Sequence, residues 1–301
     1  MVVLDDAERA ELAALATAAD ERPRDVRARK ASGLAHMRAT LAGALDLQTR
    51  AELDLEAAFA LDPHDPLVSR SLGRFYNLRA VAGDASKGSM QVEVYRAYLG
   101  DLAVPEMGVV QFVAWAFSRL GRVLELRARG RLLAALSEVG RLERALESRS
   151  EQRPDNLELH ALAGNFALFF AGALPTGKPA RVRRAVHHFE QVIAHWDDLR
   201  RGARHPELCP NTRENFTFEL AEAHLALGNV TRARALYDEL SRPRAPVNPA
   251  RALVAEVSTE RLAHVQDYAG DMRLMPPWPS DVGNCVICHA GTAAVPRSSL
   301  Y

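Results

Sequence analysis

Phe218-Glu-Leu220-Ala221-Glu-Ala-His224-Leu-Ala-Leu227-Gly228-Asn229-Val-Thr-Arg-Ala233-Arg-Ala235-Leu236-Tyr237-Asp-Glu-Leu240 decides the fold class. Apolar residues recur at three- and four-residue spacing on both sides of Gly228-Asn229, which is the period of an amphipathic helix. Gly-Asn between two such runs is a turn signal. The stretch therefore predicts two helices folded back on each other, with small residues at Ala221 and Ala233 and an aromatic at Tyr237.

Outward from there the same texture continues. Towards the N-terminus, Pro154-Asp155-Asn156 starts a helix holding Leu159, Leu162, Phe166, Leu168 and Phe169, and a return helix holds Ala185, Phe189, Val192, Ile193 and Trp196. Residues 107–150 predict two long helices, one with Phe112, Trp115 and Leu120, the next with Leu132, Leu136, Val139, Leu142 and Leu146. A helix over Gln91–Leu99 follows a Gly/Ser-rich loop at Gly83–Gly88. Ala51 to Leu61 is a helix that ends in Leu61-Asp62-Pro63, and Leu72-Gly73 with Tyr76 follows. Asp5 or Asp6 caps a first helix, Pro23 breaks it, and a second runs from Arg24 to Leu45. Towards the C-terminus a last helix spans 248–268. Alternating strand patterns bounded by turns are absent.

The Leu-Gly-x-x-Tyr spacing at Leu72, Gly73 and Tyr76, the helix ending in Asp62-Pro63, and the small and aromatic positions of the 218–240 hairpin together resemble the tetratricopeptide repeat. The resemblance covers residues 50–240 and is most specific at 217–242. It implies an all-α fold, a tetratricopeptide-like α-solenoid of antiparallel helix pairs. The expected organisation is N-terminal helices over 1–50, a degenerate repeat array over 51–242, a terminal helix over 243–270, and a proline-rich tail over 271–301. Such arrays dock protein partners on an extended concave face.

Composition narrows the function. Lys+Arg and Asp+Glu are both 38, so there is no net field to attract nucleic acid or an anionic membrane. No apolar run approaches the roughly 18–20 residues of a membrane span. Arg127, Arg129 and Arg131 read as a solvated helix face. Gly172-Ala-Leu-Pro-Thr-Gly177-Lys178 has phosphate-loop spacing, but Pro179 stands where a Ser or Thr is needed, and the residues before it predict helix where such a loop follows a strand. His187 and His188 lie about 100° apart on a helix, so at least one is expected to face solvent and a joint metal site is not expected; His195 could share a face with either, and surface and packing roles are the default reading. No catalytic constellation stands out, so an electron carrier or scaffold is expected in preference to an enzyme.

The sharpest chemical signal is Cys285-Val286-Ile287-Cys288-His289. C-x-x-C-H resembles the attachment motif of c-type cytochromes. The resemblance implies covalent haem c, with Cys285 and Cys288 as thioether links and His289 as proximal iron ligand. Met275, in Met275-Pro276-Pro277, is the candidate distal ligand, although it also reads as a packing residue in a proline-stiffened linker. The partner would then be another redox protein. Attachment happens outside the cytoplasm, so a periplasmic or extracytoplasmic location is implied, yet the start of the chain shows no signal peptide.

A second cofactor fits the same thiols. His205-Pro-Glu-Leu-Cys209 places a His and a Cys four residues apart. With Cys285 and Cys288 they would form a closed Cys3His zinc site. That reading makes the chain a cytoplasmic, non-redox interaction scaffold with a pinned tail. Cys209 also reads as a half-buried thiol capping a loop.

Overall fold

The computed structural model describes residues 4–41, 44–81, 84, 86–174, 176–196, 212–242, 249–271 and 274. Twelve α-helices and no strand occur among them. They are α1 (Asp6–Glu21), α2 (Val26–Leu41), α3 (Gln48–Leu61), α4 (Pro66–Val81), α5 (Ser86–Leu99), α6 (Val109–Ala128), α7 (Leu132–Gln152), α8 (Leu157–Ala173), α9 (Lys178–Ala194), α10 (Thr212–Ala226), α11 (Val230–Ser241) and α12 (Pro249–Ala263). The all-α expectation holds. Two compact units divide inside α7, between Glu138 and Val139.

In the first unit each helix packs on its chain neighbours, α2 on α3, α4 on α5, and α5 on α6. The core gathers Met37, Leu55, Leu72, Phe75, Tyr76 and Tyr95. Gly73 allows the α4–α5 contact: a Cβ there would lie 2.3 Å from Tyr95 Cε1. Asp5 starts α1 with a capping box, accepting from the Glu8 N–H at 2.8 Å while Glu8 accepts from the Asp5 N–H at 3.0 Å.

A charge lies inside this unit. Asp54 on α3 is fully buried. It accepts from Ser32 Oγ at 2.5 Å, Arg29 Nη1 at 2.5 Å and Arg50 Nε at 2.6 Å. Both arginines also reach Asp20 on α1. The hydrogen bond from Arg50 holds the Asp20 carboxyl below its usual range. One buried carboxylate thus ties α1, α2 and α3 together.

Three boundaries differ from the sequence reading. α5 begins at Ser86, inside the stretch read as a Gly/Ser loop. Lys87 offsets the poor helix propensity of that turn: it pairs with Glu52 and sits 4.9 Å over the Tyr76 ring. α2 stops at Leu41, with Leu45 in a short 3-10 turn. The last helix ends at Ala263, and turns carry the chain to Gly270, whose N–H donates to the Leu225 carbonyl at 3.0 Å.

In the second unit α8 and α9 pack closely, followed by α9 with α10, α10 with α11, and α11 with α12. Gly164 repeats the Gly73 arrangement, since a Cβ there would lie 2.6 Å from Phe189 Cε1. Gly228 turns the α10–α11 hairpin at φ 77, where an L side chain is strained. Ala221, Ala233 and Tyr237 are fully buried across that hairpin, as their spacing implies.

Polar groups are buried here too. Glu222 on α10 accepts at Oε1 from Tyr237 Oη at 2.6 Å and from Arg261 Nε at 2.7 Å, joining α10, α11 and α12. Arg261 is 1% exposed. Glu219, one turn earlier, has no hydrogen-bond partner at Oε2, and burial pushes its carboxyl up to about 8. Glu222 Oε2 and Ser258 Oγ are also buried without a hydrogen bond.

Candidate metal centre

The residues on which the sequence reading places a cofactor, Cys285, Cys288 and His289, with Met275 and with His205 and Cys209, all lie outside the described residues. The phosphate-loop look-alike is described. Gly177 caps α9 at φ 73, α8 occupies the place of the required strand, and Arg181 Nη1 donates to the Thr176 carbonyl at 2.5 Å. The loop is a connection between two packed helices.

The cluster that the folded chain does assemble is His160, His187 and His188, in the second unit. α8 places the first of them. Asn156 caps the helix by accepting from the Leu159 N–H at 3.0 Å, which sets His160 in its first turn. α8 and α9 pack on each other as a hairpin, so the start of α8 lies beside the second half of α9, where His187 and His188 stand. His160 and His188 are buried and His187 is exposed. One ring nitrogen from each of the three lies within 4.8 Å of the others. The His160 and His188 ring centroids are 5.1 Å apart, and those of His160 and His187 6.2 Å.

The hydrogen bonds fix the protons. His160 Nε2 is 3.2 Å from the Pro154 carbonyl, which can only accept, so Nε2 carries a hydrogen. His188 Nε2 is 3.4 Å from Glu147 Oε1 on α7. Glu147 is held below the usual carboxylate range, first by the hydrogen bond from His188, with Arg184 and His187 adding to it against the opposing effect of burial. It is an ionised acceptor, so His188 Nε2 carries a hydrogen as well. The two remaining nitrogens, His160 Nδ1 and His188 Nδ1, face each other at 2.9 Å.

Charge around the cluster is arranged in a ladder. Glu143 takes Arg181 at 2.6 Å and Arg184 at 2.7 Å, and Arg184 also reaches Glu147 at 3.2 Å. Burial, and then the neighbouring His188, push His160 below the usual histidine range, so its neutral form is favoured.

His187 is exposed and His188 buried, as expected, but their ring centroids lie 5.3 Å apart and both enter one cluster with His160, contrary to the expectation that they share no metal site. His195, at the C-cap of α9, is outside the cluster. His160 is the member that the sequence reading omits. Its signal is topological: packing α8 against α9 brings the first turn of one helix to the late turns of the next, and helix spacing within α9 cannot show that.

No helix among the described residues is long and apolar enough to cross a membrane. No known protein family, no curated protein and no solved structure matches this chain.

Proposed function

We propose that the chain is a c-type haem protein that exchanges electrons with a redox protein partner, its tetratricopeptide-like helical stack serving as the docking scaffold. The single observation that carries this reading is the pentad Cys285-Val286-Ile287-Cys288-His289. The two thiols supply the covalent links and His289 the proximal ligand, with Met275 the candidate on the distal side. Bound there, the iron supplies a one-electron redox couple. Packing between consecutive helices supports a stack of helix pairs, as do the Gly73–Tyr95 and Gly164–Phe189 interlocks.

The test is expression with an export signal in a host that attaches c-type haem. One covalent haem per chain is expected by pyridine haemochrome spectroscopy, and none after Cys285→Ala and Cys288→Ala. The spacing of His205 and Cys209 favours a second reading, a structural Cys3His zinc that fixes the tail of a non-redox scaffold. Under that reading the chain carries no haem, and Cys209→Ser releases one zinc per chain. Finding neither covalent haem nor a Cys209-dependent zinc would sink both.

A further inference from the structure

We propose that His160, His187 and His188 form a binding site for a divalent transition metal of the zinc class, independent of the C-terminal cysteines. The argument begins with the two buried rings. Each has its outer nitrogen tied to an acceptor, His160 Nε2 to the Pro154 carbonyl and His188 Nε2 to Glu147. Metal-binding histidines are held in this way: a carbonyl or a carboxylate takes the outer N–H, fixes the tautomer and leaves the inner nitrogen bare. With one proton on each ring, the inner nitrogens face each other across 2.9 Å with two lone pairs between them. A cation between them relieves that contact.

Two cations fit, a proton or a metal. A shared proton uses only two nitrogens and leaves His187 without a role. The third ring decides for the metal. His187 brings another nitrogen within 4.8 Å of the others, from an exposed ring on the solvent side. Two imidazole nitrogens bound tetrahedrally to zinc at 2.0–2.1 Å lie about 3.3 Å apart, so the buried pair needs to open by only a few tenths of an ångström. Neutral imidazole suits zinc, copper and nickel, and no thiol or hard oxygen ligand is required. Three protein nitrogens leave the fourth position to water or another small ligand from the side of His187.

The probe is zinc itself, added to the full chain carrying Cys285→Ser and Cys288→Ser, so that neither haem nor a thiolate site contributes. One equivalent of zinc is expected by calorimetry, with a melting temperature that rises with zinc concentration. His187→Ala, a change at an exposed ring, should weaken zinc binding at least tenfold while leaving the zinc-free melting temperature in place. Glu147→Gln keeps the shape of the acceptor and removes its charge; a tenfold to hundredfold loss is expected. If zinc binds at well under one equivalent, or if His187→Ala and His160→Gln both leave its affinity unchanged, the proposal is overturned. A shared proton between His160 and His188, seen by NMR and unmoved by excess zinc, overturns it equally.

Discussion

Asp54 and Glu222 are both carboxylates with no exposed surface, and the two units surround them differently. Asp54 in the first unit receives two arginines and a serine hydroxyl, and the arginines are 15% and 25% exposed at their side chains and share Asp20 as a second partner. Its charge is neutralised by groups that still touch water. Glu222 in the second unit receives one arginine that is itself 1% exposed, and Glu219, one turn away, has a buried Oε2 with no hydrogen bond among the described residues. Desolvation costs both partners of a buried pair, so pairs whose cations keep some hydration are cheaper to form and less costly to break. The first arrangement is a clamp at a rim. The second is a polar centre enclosed by α10, α11 and α12.

The comparison breaks most sharply at Glu222. Glu222→Ala strands a buried guanidinium whose remaining carboxylate neighbour is Glu260 at 3.7 Å. A loss of about 3–5 kcal/mol is expected by chemical denaturation. Replacing both partners, with Glu222→Leu and Arg261→Met, should recover most of that loss, because no charge is left buried. A double variant as unstable as the single one would show that the pair stabilises in its own right.

Asp54→Ala should cost less, about 2–3 kcal/mol, because Arg29 and Arg50 keep Asp20 and can rehydrate. If it costs more than Glu222→Ala, exposure of the cations is not what separates the two sites.

Glu219→Gln is silent at low pH, and its effect depends on pH. The folded carboxyl titrates near 8 against an ordinary 4.5, so the folded state holds the proton longer. Its contribution to stability is therefore full below about pH 4.5 and is lost as pH rises towards 8, with a slope of up to about 1.4 kcal/mol per pH unit. The Gln variant should match the parent at pH 5 and exceed it at pH 8. Parallel stability–pH curves would mean that Glu219 is solvated or paired.

Much of the fold is legible in the sequence because it rests on local signals. Helical spacing, the Asp5 and Asn156 caps, Pro23 and the Gly228-Asn229 turn each act within a few residues. The start of α5 is not legible, because Ser86–Gly88 is a poor helix by propensity and is held by Lys87 reaching Glu52, 35 residues away. The histidine cluster is hidden for a related reason. Two of its members are adjacent in sequence and point apart, and the third comes from another helix. The cysteine pentad is the reverse case: all of its chemistry is local, so the sequence alone carries it.

Packing between chain-neighbouring helices within each unit also bears on chain entropy. When contacts close short loops, little chain entropy is lost before they form. The α8–α9 hairpin, joined by the few residues around Gly177 and interlocked at Gly164 and Phe189, is such a case. The step that brings Phe189 against Gly164 also brings His188 to His160. The histidine pair is therefore set by the closure of one hairpin, whereas Glu222 and Arg261 meet across 39 residues of chain.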